Sequence, residues 1–172
     1  MAIKRYIATK DNTITNAFKE NLNIRGTGSS MGAADVLEAF SIYGQSFSSS
    51  SAGISKTQEL SRILVEFPVS DIISDRASGL IPASGSVDFC LRMYNAKHGE
   101  TVPKNMTLVV VPVSSSWQEG FGLDMENYQD LTKNKQGSNW IMRSGSTPWA
   151  TVGGTYLTSS ANNDYGDRRQ MF

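Results

Sequence analysis

One cysteine and one histidine in 172 residues leave little room for two common kinds of chemistry. Cys90 alone can form no intrachain disulfide and cannot supply the paired thiolates of a cysteine-based zinc site, which suits assembly in a reducing cytoplasm. A Ser/His/Asp or Cys/His arrangement would have to use His98 as its base, and His98 sits in NAKHGET, which reads as an exposed turn. Charge of one sign is equally scarce. Sixteen Lys and Arg balance sixteen Asp and Glu, with no run of either, so the footprint of a nucleic-acid or anionic-membrane binder is missing. No window approaches the roughly 18 apolar residues of a membrane span. The opening MAIKRYIATKDNT has no apolar stretch of the kind that follows the charges of a secretion signal, and none is expected. The spacing of a calcium loop is absent, and GTGSSMG at 26–32 lacks the Lys-Ser/Thr of a phosphate loop and reads as a turn. Neither a metal nor a cofactor is expected.

What is present is turn chemistry between short apolar runs. Fifteen Gly and abundant Ser and Thr punctuate segments too short for long helices, and the length suits one domain with a proper core. SRILVEFPV at 61–69 alternates, which predicts a strand with Ile63, Val65 and Phe67 on the core face and Arg62, Leu64 and Glu66 opposite; Pro68 ends it. SVDFCLRMYN at 86–95 alternates in the same way, with Val87, Phe89, Leu91 and Met93 as the core face and Cys90 as a small packing residue beside Asp88 and Arg92. MTLVVVPVSSSW at 106–117 predicts a strand buried on both faces. The connection between the first two carries one short helical turn. MGAADVLEAFSIYG at 31–44 suits helix or strand, with propensity on the side of helix. Ser-rich SFSSSSAGISKTQ at 46–58 reads as a mobile loop. The sum is an all-β protein, an antiparallel β-sandwich or jelly roll over 10–160, with an N-terminal arm at 1–9 and a C-terminal tail at 161–172.

Two clusters bear on chemistry. Glu119, Asp124 and Glu126 in WQEGFGLDMENYQD could supply the paired carboxylates of a glycoside hydrolase or ligate calcium, or could be a solvated loop. Trp117, Trp140 and Trp149, with Tyr128 and Tyr156, crowd the second half of the chain. Such rings stack on sugars and anchor interfaces, and they equally plug the end of a β-sandwich core.

Taken in order, SSMGAADVLEAFS (29–41), LSRILVEFPVSDI (60–72), SVDFCLRMYN (86–95), LVVVPVSSSWQEG (108–120) and NWIMRSGSTPWATVGGTY (139–156) resemble the DNRLRE-type β-sandwich modules, relatives of a carbohydrate-binding-module group. The opening and the ELSRILVEFP strand are also similar to virion structural proteins of tailed marine, cyanophage-type bacteriophages. The resemblance covers about residues 9–160. It implies turn plus strand at 31–44, Arg62 and Arg92 on neighbouring strands facing away from the core, Trp117 and Glu119 closing an edge, and Trp149 with Gly153 and Gly154 in a late structural turn. Such modules continue past the Gly-Gly element with two further strands, whereas here LTSSANNDYGDRRQMF follows Tyr156. That implies a sandwich completed by a neighbouring subunit, with both termini as arms.

The function so implied is that of a non-enzymatic virion structural protein, a tail or neck appendage, fibre or capsid decoration component assembled in the host cytoplasm. Its partners would be copies of itself and other virion proteins, without nucleic acid or membrane insertion. The alternative is a carbohydrate-binding module that recognises a host-surface glycan through Trp140, Trp149 and Tyr156. An enzyme would need Glu119 paired with Asp124 or Glu126 across a cleft.

Overall fold

The computed structural model describes residues 3–19, 24–48, 54–83, 85–97, 99, 108–123 and 137–157. Strands dominate them: β1 (Lys10–Thr15), β2 (Ser41–Ser48), β3 (Ile54–Glu66), β4 (Met142–Ser144) and β5 (Thr147–Pro148), with one helix, α1 (Val69–Ala77). They form two small antiparallel sheets, ordered β1-β3-β2 and β4-β5. A face-to-face sandwich or jelly roll is not displayed by the described residues.

The larger sheet is staggered. β3 pairs with β1 only through Ser61–Glu66 and with β2 only through Ile54–Leu60. One half of β3 is therefore pinned to the body through β1. The other half runs on with β2 as a two-stranded ribbon. Residues 46–48 and 54–58, expected within a mobile loop, are strand: Phe47, Ile54 and Thr57 are strand formers, and the ladder carries the serines beside them.

The core gathers Ile14 of β1, Leu64 of β3, Trp117, Trp140 and Trp149, with Leu60 and Val113 packed against them. This corrects the phase of β3. Ile63, Val65 and Phe67 are half-buried, whereas Leu64 is buried in the cluster and Leu60 lines it. Alternation fixes a period of two but not which face meets the partner, and a face of Leu60, Arg62 and Leu64 is apolar enough once the arginine stem is counted.

Residues 31–40 form no helix, against propensity. Their amide donors go to tertiary partners: Ala33 N–H to Gly122 O at 2.8 Å, Glu38 N–H to Thr13 Oγ1 at 3.1 Å and Phe40 N–H to Ser61 Oγ at 2.7 Å. The strand begins at Ser41. After Glu66 the chain turns at Phe67-Pro68 into α1, longer than the single turn expected. Pro68 at the cap position has no amide hydrogen to lose, Asp71 in the first turn and Arg76 in the last suit the helix dipole, and none of its residues is buried.

Two expected strands are overturned. Residues 86–95 belong to no ladder, and Phe89, meant for the core, is 63% exposed, with Leu91 and Met93 exposed too. Residues 108–111 also lie outside any ladder, with Val109 73% and Val110 64% exposed. The run enters pairing only at Val113, which bridges Tyr156. β-propensity states what a segment suits; a strand requires a neighbour, and among the described residues these two have none.

Candidate functional site

A buried polar node joins segments that flank the aromatic cluster in the chain. Asn12, buried on β1, donates from Nδ2 to Ser138 O at 2.9 Å, Ser138 Oγ at 2.8 Å and Ser30 Oγ at 3.3 Å, and its Oδ1 accepts from Met31 N–H at 2.8 Å. Ser30 Oγ donates onward to Glu119 O at 3.1 Å, and Glu119 Oε1 accepts from Asp11 N–H at 2.9 Å. One side chain thus ties segments around 30 and 138 to β1, and Glu119 adds a third. No feature of the sequence distinguished Asn12 from any other polar residue. A strand asparagine whose amide is satisfied from two distant segments shows its role only in three dimensions.

Trp140 and Trp149 are 8% and 4% exposed, and Tyr156 is 38% exposed. Trp149 Nε1–H donates to Asn139 O at 2.8 Å. Arg62 lies over the Trp140 ring at 5.0 Å and the Tyr156 ring at 5.3 Å, and its Nη1 donates to Gly153 O at 2.5 Å. Arg62 therefore faces the aromatic cluster, contrary to its implied position away from the core. Its charge is stabilised by ring faces and a carbonyl dipole. Gly153 and Gly154 do form a turn, with φ of 88° and 95°. A Cβ on Gly153 would lie 2.9 Å from both Arg62 Nη1 and Trp140 Cζ2, so glycine lets the turn close against the stacked pair.

A sugar platform needs a free ring face. Trp140 and Trp149 offer none of consequence, and Tyr156, the most open of the three, already carries Arg62.

The remaining candidates scatter. Trp117 is buried in the core cluster. Arg92 is exposed over Tyr94 at 5.0 Å and lies on no strand, so the expected Arg62/Arg92 pair on adjacent strands does not form. Cys90 is exposed. His98, Asp124 and Glu126 lie outside the described residues, as do Tyr128 and the tail 161–172. The carboxylate brought close to Glu119 is Asp11. Burial first, and then the Glu119 charge, raise the Asp11 carboxyl above its ordinary range. Two carboxylates are a small donor set, and no group of three His, Cys, Asp or Glu able to hold a metal ion occurs among the described residues.

Elsewhere, the described part of the N-terminal arm lies on its own chain. Tyr6 Oη donates to Asp75 Oδ2 at 2.7 Å, and Lys4 Nζ reaches the same oxygen at 3.0 Å. An open groove of about 620 Å³ runs along this contact, lined by Lys4, Tyr6, Asp71 and Asp75 among others. Among the described residues no helix is long and apolar enough to cross a membrane. No protein-family model, curated protein or solved structure matches this chain.

Proposed function

We propose that this chain is a non-enzymatic structural protein that works by assembling with copies of itself and with neighbouring proteins, as a component of a phage particle. The observation that carries the assembly reading is the exposed apolar residues of 86–95 and 108–111, with Phe89, Val109 and Val110 all more than 60% exposed. Apolar residues scattered singly on a surface are ordinary; two unladdered runs of them in one chain mark an interaction surface. Strand-forming sequence without a strand partner has a direct remedy, which is a partner from another chain that completes the β-sandwich. The virion setting rests on the likeness of the opening and of the ELSRILVEFP strand to virion structural proteins. The buried tryptophans favour this reading over glycan binding, because their ring faces are consumed by packing and by Arg62.

The test is solution mass by light scattering across a concentration range, for the native chain and for Val109→Asp/Val110→Asp. Assembly predicts an oligomer that the variant weakens at least tenfold with unchanged far-UV circular dichroism. A native chain that stays monomeric at every concentration overturns the reading. Glycan-array binding abolished by Tyr156→Ala would replace it with the carbohydrate-binding alternative.

A further inference from the structure

We infer that the outer edge of β2 pairs antiparallel with β2 of a second copy of this chain, joining two staggered sheets into one of six strands ordered β1-β3-β2-β2-β3-β1. The inference rests on the assembly reading and names one contact within it. β2 is the terminal strand of its sheet, and no other strand lies along its outer edge among the described residues. It is eight residues long, and its sequence, SIYGQSFS, contains no charged residue and no proline. Edge strands of soluble proteins are ordinarily guarded by lysine, proline, brevity or a covering element. β2 has the length without the guard residues; its one irregularity is the register shift between Tyr43 and Gln45.

The stagger of the sheet sharpens the point. From Ile54 to Leu60, β3 pairs with β2 alone, so the ribbon they form has no third strand among the described residues. Two-stranded ribbons are marginal in water by themselves. The occupant that fits is a second copy, for two reasons. An uncharged strand meets itself without like-charge repulsion. A two-fold antiparallel contact also supplies the missing strand to both ribbons at once, which a foreign peptide would do for one.

Gln45 lies near the middle of β2, so in a centred two-fold pairing the two copies of residue 45 flank the axis. The experiment measures self-association by analytical ultracentrifugation for the native chain, Gln45→Lys, Gln45→Glu and an equimolar mixture of the two variants. Near-UV circular dichroism of the tryptophan core verifies folding in each. The expected result is a native oligomer, each variant weakened at least tenfold, and recovery in the mixture, where the charges become opposite. As a second readout, Gln45→Cys in a Cys90→Ser background should give a disulfide-linked dimer under mild oxidation. Folded variants that associate as the native chain does, with no cross-linking at position 45, overturn the β2 contact and leave the assembly reading standing on 86–95 and 108–111. A native chain that is monomeric throughout overturns both.

Discussion

Trp149 combines two roles that substitution can separate. Its ring fills the core beside Trp140, and its indole N–H satisfies the Asn139 carbonyl. Trp149→Ala removes both and should cost about 3–5 kcal/mol in denaturant unfolding, the range for large aromatic truncations. Trp149→Phe keeps much of the apolar volume but leaves a buried carbonyl without its donor, and should cost less. If the ring were a ligand platform instead, Trp149→Ala would leave stability nearly untouched. Gly122 makes the same point from the backbone side: a Cβ there would run into the Ser30 carbonyl, backbone against backbone, where no rotamer change relieves the overlap. Gly122→Ala should destabilise by about 3 kcal/mol, at the upper end of overpacking costs, as read by the shift of the urea midpoint. Asn12→Ala would strand the Met31 N–H and the Ser138 carbonyl together, for a loss of about 2–4 kcal/mol.

Among the elements, the N-terminal arm has the simplest switchable attachment. Asp75 accepts from Tyr6 first and from Lys4 second, and both hold its carboxyl below the ordinary range, against a small opposing effect of burial. The Tyr6 phenol is pushed up to about 12 by the same hydrogen bond. A depressed carboxyl contributes stability that is present above its unfolded pKa and lost as pH falls through the folded value. Acid should therefore loosen the arm. Asp11 runs the other way. Its raised carboxyl disfavours the ionised form in the fold, so lowering the pH relieves that cost while it weakens the arm. Tyr6 ring signals in NMR, followed through the carboxylate range of about pH 5 to 2, should shift toward their free positions in the native chain. In Asp75→Asn they should be displaced toward those positions already at neutral pH, with faster tryptic cleavage after Lys4 and Arg5. Signals indifferent to both changes would mean that the arm is held by Thr9, whose N–H and hydroxyl both donate to Glu66 O. The elements also show what sequence makes legible. The strand over 61–66, its stop before Pro68 and the short helix after it were readable because each follows from local rules of alternation and ring geometry. The face of β3 was not, since Leu64 and Ile63 are equally apolar and only the location of three tryptophans decides between them.

Across the whole molecule, local pattern ran ahead of pairing. Residues 86–95 and 108–111 have every local mark of strands, yet ladder hydrogen bonds belong to pairs of segments, and a single sequence says nothing about which pair forms. The aromatic cluster was legible as composition, while its dependence on Asn12, Arg62 and the close approach at Gly122 arises only from contacts far apart in the chain. The same division predicts how the molecule opens. β1, the Ser61–Glu66 half of β3 and the loops bearing Trp117, Trp140 and Trp149 share the core and its buried hydrogen bonds, so their amides should exchange with solvent only near global unfolding. The ribbon of β2 with Ile54–Leu60, outside the β1 ladder and held to the body at its Glu59–Leu60 end, should open locally from its far end and exchange many-fold faster there in dilute solution. Hydrogen exchange followed by mass spectrometry over a hundredfold range of protein concentration separates the two regimes. Core protection should stay constant, and protection at 41–48, 86–95 and 108–111 should rise together as copies associate. If all segments were protected equally and independently of concentration, the chain would be a closed monomer whose exposed apolar runs have no task in assembly. If only 108–111 responded, association would run through the valine segment alone, and the ribbon would be an appendage that no second copy covers.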